Sequence, residues 1–129
     1  MKKMTEAWLN AAQDDLSASN QLLLLPELTN LVAFHSQQCI EKVLKAILEE
    51  MDIAIVKTHD IVRLYNMIGG KFVIQESENM ILLNELYVDS RYPGDLGLLP
   101  AGKPSGDEAK SFVNLASLVL QEAKLFLKK

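Results

Sequence analysis

The stretch FHSQQCIEKVLKA, residues 34–46, lies in the middle of a predicted helix that covers residues 29–51. With a turn of roughly 100° per residue, the apolar side chains of this helix gather on one stripe, together with a serine. The stripe contains Val32, Ser36, Ile40, Val43, Leu44, Ile47 and Met51. Because a helix with such a stripe is stabilised mainly by burying it, other helices must cover this one, and that requirement organises the fold.

A second, polar stripe runs along the same helix at positions i, i+3, i+7 and i+10, and contains His35, Gln38, Lys42 and Lys45. The two lysines can neutralise a phosphate. They can equally be solvent charges, since Glu41 and Lys45 form an i, i+4 pair in the favourable order. His35 can take part in catalysis or form a hydrogen bond to a neighbouring element. The polar stripe is therefore one candidate wall of a binding site.

Three more helices are predicted before residue 93. The first covers residues 5–24, with Asp15 mainly outside its apolar stripe, and Pro26 then permits a tight reversal. A short helix covers residues 57–68, and another covers residues 77–91 and stops before a proline. The links between them, although partly β-like in composition, are too isolated to form a sheet.

A capping box marks the start of the last helix, with Ser105 as the cap and Glu108 at the third helical position. Helical periodicity then continues to Leu127. We therefore predict an all-α fold, an up-and-down four-helix bundle with one additional short helix. The length of 129 residues favours a single domain, residues 1–129, in which the Gly- and Pro-rich residues 93–106 form a mobile loop.

The composition narrows the class of protein. Hydrophobic residues make up 49% of the chain, which is ample for one core, and the net charge of −4 argues against a protein that coats nucleic acid electrostatically. No apolar run is long enough to cross a bilayer. The single cysteine, Cys39, is predicted to be a buried, inert thiol, which favours a reducing cytoplasm. One Cys and two His exclude a conventional structural zinc site within one chain, and we expect no metal or cofactor.

Four local features occur in a recognisable order. They are Trp8, Ala12 and Asp15-Leu16 in the first helix, the stretch 34–46 in the second, KTHD at residues 57–60, and YVDSRYPG at residues 87–94. Together they resemble the HEPN domain family (higher eukaryotes and prokaryotes nucleotide-binding). The resemblance covers nearly the whole chain, and it depends most on the second-helix motif and the Ser-Arg-Tyr-Pro motif.

This resemblance implies a helical bundle that forms a homodimer in a bacterial or archaeal cytoplasm, with a minimal nucleotidyltransferase as partner, often in a toxin–antitoxin module. In the ribonuclease branch of the family, an Arg is followed after four to six residues by a His. Arg91 occupies the place of the Arg, but no His follows it at residues 95–97 or later. We therefore lean towards a protein that is not an enzyme.

The resemblance makes Arg91 the first candidate site residue, because its guanidinium can hold a phosphate in a bidentate contact. It can instead pair with Asp89 or Asp95. Tyr92 can stack on a base or pack against a neighbouring helix.

The start of the short helix is another candidate, because free backbone N–H groups there favour anions. Lys57 and Thr58 can bind a nucleotide phosphate at this point. Alternatively, Thr58 or Asp60 caps the helix and His59 forms a local hydrogen bond.

Three hypotheses follow from these residues. In the first, the domain binds a nucleotide, RNA or a nucleotidyltransferase partner without cutting RNA. In the second, it is a metal-independent ribonuclease toxin with a displaced catalytic histidine, His35 or His59. In the third, it is purely an interaction module.

Overall fold

The computed structural model describes residues 1–89 and 103–128. Its helices are α1 (Lys3–Leu22), α2 (Thr29–Glu50), α3 (Ile61–Ile68), α4 (Ser77–Asp89) and α5 (Gly106–Leu127), with a 3₁₀ turn at Pro26–Leu28 before α2. No strand occurs in the described residues. The all-α prediction is confirmed, with four long helices and one short one.

Helix α2 is the central element, because it contacts each of the other four helices. One hydrophobic cluster contains buried side chains from all five helices, among them Leu9, Ile40, Leu64, Leu83 and Phe112. The predicted apolar stripe of α2 is fully buried from Val32 to Ile47 and is partly exposed at its last member, Met51. The stripe therefore serves as the organising surface of the core.

Helices α1 and α2 are antiparallel neighbours joined by buried polar contacts. The hydroxyl of Ser19 donates to the carbonyl oxygen of Val32 at 3.1 Å and lies 3.1 Å from the hydroxyl of Ser36. Near the other end of the pair, Thr5 donates to Glu50 at 2.9 Å. Small side chains at this contact permit close approach, and every buried hydroxyl needs a partner, which both serines have.

Several helix boundaries differ from the predictions. Helix α1 begins at Lys3 rather than at residue 5, and α2 ends at Glu50 rather than at residue 51. Helix α1 ends at Leu22 rather than at residue 24, because the chain then reverses through the 3₁₀ turn. Helix α3 begins at Ile61 rather than at residue 57, because Asp60 is its N-cap and accepts a hydrogen bond from the backbone N–H of Arg63 at 3.1 Å. The predicted end of α4 at Arg91 and most of the predicted mobile loop, residues 93–102, lie outside the described residues.

The predicted capping box of α5 is present. The backbone N–H of Glu108 donates to the hydroxyl of Ser105 at 3.1 Å, and the backbone N–H of Ser105 donates to the Glu108 carboxylate at 2.8 Å. Just before this cap, the Nζ of Lys103 donates to the backbone oxygen of Glu27 at 2.6 Å. This contact joins the start of α5 to the turn between α1 and α2.

Cys39 is buried, as predicted, with its Sγ 3.9 Å from the backbone oxygen of Ala116 on α5. Burial raises the pKa of its thiol to about 12, and the charge of Asp15 adds to the effect. The thiol is therefore protonated and unreactive in the folded chain.

Candidate functional site

A buried carboxylate on α1 joins two of the predicted site residues. Asp15 is only 8% exposed, although the sequence placed it mainly outside the apolar stripe. Its Oδ2 lies 2.6 Å from the Nζ of Lys42, and its Oδ1 lies 2.9 Å from the Nδ1 of His35. We call these three residues the Asp15 centre. The contact of His35 with Asp15 agrees with the second interpretation of His35, in which the imidazole forms a hydrogen bond to a neighbouring element.

A second buried carboxylate lies on α2 itself. Glu41 is 3% exposed, and its Oε2 accepts a hydrogen bond from the Nζ of Lys45 at 3.0 Å, as the i, i+4 spacing predicted. Its Oε1 lies 3.0 Å from the Nδ1 of His59, which precedes α3. We call these three residues the Glu41 centre, and the two centres together the polar face. Each centre therefore contains one carboxylate, one ammonium group and one imidazole held through Nδ1.

Two amide side chains support the Glu41 centre. Gln37 is fully buried, and its Nε2 donates to the backbone oxygen of His59 at 2.8 Å. Gln38 donates to the Oε1 of Gln37 at 2.7 Å. Gln37 therefore connects α2 to the segment before α3, and this contact fixes where the His59 backbone lies.

The ammonium group of Lys45 also lies 5.4 Å from the ring centroid of Trp8 on α1. This distance permits a cation–π contact, which is strongest over tryptophan. Since Lys45 is buried beneath this contact and its pair with Glu41, its charge is compensated within the protein.

Most of the polar side chains at the start of α3 already form hydrogen bonds within the protein. The hydroxyl of Thr58 accepts a hydrogen bond from the backbone N–H of Asp60 at 3.1 Å, and Asp60 caps the helix. Asn84 on α4 completes this arrangement, because its amide donates to Asp60 at 3.0 Å and its oxygen accepts from the backbone N–H of Ile61 at 3.0 Å. Lys57 is exposed, so among the predicted groups here it remains the one open to a ligand.

Asp15 and Glu41 were not predicted as site residues. They nevertheless contact four residues that were, namely His35, Lys42, Lys45 and His59. The i, i+4 spacing of Glu41 and Lys45 was a signal for Glu41. Asp15 is among the residues that carry the family resemblance, but the helical period does not mark it as buried, because its burial depends on how α1 packs against α2. Arg91 and Tyr92, the residues favoured by the family motif, lie outside the described residues.

The charges determine what the polar face can do chemically. With both imidazoles neutral, two carboxylates face two ammonium groups, so the face carries no net charge. An ammonium group has three N–H donors, and each lysine is seen to use one of them on a carboxylate. The side chain of His59 is 62% exposed, so solvent reaches this centre. The face can therefore offer hydrogen-bond donors to an anion without a strong long-range attraction.

No group of three or more His, Cys, Asp or Glu side chains in residues 1–89 and 103–128 is arranged to hold a metal ion. Over the same residues, no helix is both long and apolar enough to span a membrane.

One family model matches the chain, and two solved structures share its fold. The family model for the HEPN domain matches residues 5–126. The structure of TT1696 from Thermus thermophilus is similar, with a TM-score of 0.79 at 23% identity, covering 97% of this chain and 99% of that chain. ST0689, described as an archaeal HEPN homologue, has a TM-score of 0.68 at 24% identity, covering 96% of this chain and 97% of its own. No protein with a curated description matches the chain.

Proposed function

The chain belongs to the HEPN domain family, and from this premise we propose that it binds a nucleotide at the polar face. The observation that carries the proposal is the pair of buried carboxylates, each holding a lysine and a histidine. Burying an ion pair rarely adds stability over an apolar replacement of the same volume, so two such centres in one small domain favour a role in binding.

The charge balance favours a single nucleotide over a long RNA. RNA binding depends on releasing counterions from many phosphates, which requires many uncompensated cations. The polar face has its lysines compensated, and the chain carries a net charge of −4. A nucleotide offers one phosphate group to the spare lysine donors and a base for stacking. Lys57, two residues before His59 in the chain, is an exposed cation that can add to the site, and the family motif makes Arg91 and Tyr92 further candidates.

Trp8 allows a direct test, because it is the only tryptophan and lies against Lys45. We expect adenosine or guanosine triphosphate to change its fluorescence, excited at the red edge of its absorption, and to release heat in a calorimetric titration. Lys42→Gln should weaken binding severalfold, whereas the exposed Lys110→Gln on α5 should not. A titration with no heat and no fluorescence change would contradict the proposal. Loss of binding in Arg91→Ala alone would move the site to the end of α4.

RNA cleavage is a second candidate, favoured by one observation. In each centre a carboxylate contacts the Nδ1 of an imidazole, and this arrangement orients Nε2 as a general base requires. Purified protein incubated with RNA tests it. Cleavage that disappears in His35→Ala or His59→Ala would favour the ribonuclease, and cleavage that survives both changes would exclude these two histidines.

We further propose that the domain forms a homodimer and pairs with a minimal nucleotidyltransferase in a cytoplasmic toxin–antitoxin module. Large apolar side chains that are exposed, Leu24, Leu125 and Ile81 among them, are available for such contacts. Light scattering on the purified chain tests the dimer, and a monomer at all concentrations would exclude it. A pure interaction module would dimerise or bind the partner but take up no nucleotide.

A further inference from the structure

A cavity of about 480 Å³ lies where the ends of α2 and α5 meet the segment after α3, and it is lined by Glu50, Met51, Lys71, Phe126 and Leu127. No residue of the polar face lines it. Its volume falls within the range of small-molecule sites, which is roughly 300–1,000 Å³.

The apolar wall of the cavity is held in place by the core. The ring of Phe126 packs on Phe72 with their centroids 5.5 Å apart, and Phe72 is 4% exposed. Two residues further on, the backbone N–H of Ile74 donates to the hydroxyl of Tyr65 at 3.0 Å. The segment that carries Lys71 is therefore fixed by Phe72 and Ile74, both of which point into the core.

The two glycines before Lys71 determine the direction of the chain at this point. Gly69 and Gly70 have φ angles of 73° and 84°, in the left-handed region that side chains other than glycine rarely adopt. They end α3 and reverse the chain. After this reversal Lys71 is exposed and lines the cavity, whereas the next residue, Phe72, is buried in the core.

The two charged residues that line the cavity, Glu50 and Lys71, differ in whether they already have hydrogen-bond partners. The Oε1 of Glu50 already accepts hydrogen bonds from the backbone N–H of Lys2 and the hydroxyl of Thr5, each at 2.9 Å. These two bonds lower the pKa of Glu50, so it remains an ionised and occupied carboxylate. Lys71, in contrast, forms no hydrogen bond or ion pair with any other described residue. Among the described residues that line it, the cavity therefore combines an apolar wall, a carboxylate that already has partners, and one cation, Lys71, that has none.

We propose that this cavity binds a small carboxylate that carries an aromatic or branched aliphatic group. The carboxylate pairs with Lys71, and the apolar group lies against Met51, Phe126 and Leu127. The ligand is a free small molecule, since the volume accommodates a single ring with a short chain. This site is independent of nucleotide binding at the polar face, and either can fail without the other.

Methionine methyl groups allow a direct test, because the chain has five methionines and Met51 lines the cavity. With the methyl carbons labelled with ¹³C, we expect phenylacetate to shift the Met51 signal saturably. Met80 of α4, which is buried and does not line the cavity, should keep its signal. The neutral analogue phenylacetamide should bind roughly threefold to fivefold more weakly, since it loses a partly exposed ion pair.

Lys71→Gln should remove this preference for the anion, and Lys110→Gln on α5 should keep it. The variant spectra themselves show whether each chain is folded. Equal binding of phenylacetate and phenylacetamide to the unaltered protein would overturn the anion site. The absence of any Met51 shift at millimolar phenylacetate would overturn the cavity as a binding site.

Discussion

The carboxylate of Asp15 and the imidazole of His35 lie 20 residues apart in the chain, yet their Oδ1 and Nδ1 atoms are 2.9 Å apart. The second oxygen of the same carboxylate contacts Lys42, so one buried group holds two candidate ligand-binding side chains on α2. Asp15 therefore holds both side chains in place and is part of the contact between α1 and α2.

Asp15→Asn should destabilise the fold and loosen the polar face together. The neutral amide removes the charge that pairs with the ammonium group of Lys42, so we expect the free energy of unfolding to fall by about 1–3 kcal/mol. Urea unfolding measures this as a lower midpoint with an unchanged slope. The neighbouring Asp14 is exposed, so Asp14→Asn is a matched control with little expected effect. Equal effects of the two changes would show that the Asp15 contacts add nothing to stability.

The pair of Glu41 and Lys45 should be coupled more strongly than a surface i, i+4 pair. Both residues are buried, so solvent screens their attraction less than it screens exposed i, i+4 pairs. The coupling energy of such exposed pairs is roughly 0.3–0.5 kcal/mol. A double-mutant cycle of Glu41→Gln and Lys45→Gln should give a coupling energy of about 1 kcal/mol or more. The exposed pair of Lys2 and Asp52 provides the comparison, with a smaller coupling that added salt removes. If the coupling energy of Glu41 and Lys45 is no larger than that of Lys2 and Asp52, burial does not strengthen the Glu41–Lys45 ion pair.

Asn84→Ala should destabilise the junction of α3 and α4. It leaves the buried N–H of Ile61 without an acceptor, at a cost of about 1–3 kcal/mol. Asn66 is exposed on α3, and Asn66→Ala serves as the control. Thermal or urea unfolding measures both changes, and equal losses would contradict a specific role for Asn84.

Asn84→Asp should make the stability of the junction between α3 and α4 depend on pH. The new side chain still accepts from Ile61 but places a second carboxylate beside Asp60. Like charges at this separation favour protonation of one partner, so the variant binds more protons when folded than when unfolded. Its stability should therefore fall as the pH rises from 4 to 7, relative to the original chain. A pH-independent difference between the two chains would contradict this account.

Cys39 should resist thiol reagents until the chain unfolds. Its pKa is raised to about 12 by burial, so the reactive thiolate is scarce in the folded protein and forms readily in the unfolded one. At pH 8 we expect the rate with a disulfide reagent such as Ellman's reagent to be roughly a hundredfold or more below the rate in strong denaturant. Rapid labelling of the folded protein would mean that α2 and α5 separate often at this point.

Local patterns in the sequence predicted local structure well. The capping box of α5 is formed by residues three apart, and the Glu41–Lys45 pair by residues four apart, so both could be read from spacing. The apolar stripe of α2 was also correct, because it follows from the helical period alone.

Contacts between elements could not be predicted in this way. The burial of Asp15 depends on the rotation of α1 against α2, which the period of neither helix determines. The contact of His59 with Glu41 depends on the path of the chain between α2 and α3, as does the start of α3 at Ile61 after its cap Asp60. For the same reason, neither interpretation of His59 included its contact with Glu41, 18 positions away.

The polar contacts of α1 and α2 have a consequence for the order of folding. Every group of the Asp15 centre, together with Ser19 and Ser36, lies within the first 42 residues, and the largest separation among them is 27. Such short-range contacts cost little loop-closure entropy and form early. Docking of α5 requires contacts such as Cys39 with Ala116, 77 residues apart, which can close only after α5 has been synthesised. We therefore expect the Asp15 centre to form in a nascent chain while the part of the core that covers Cys39 still lacks α5.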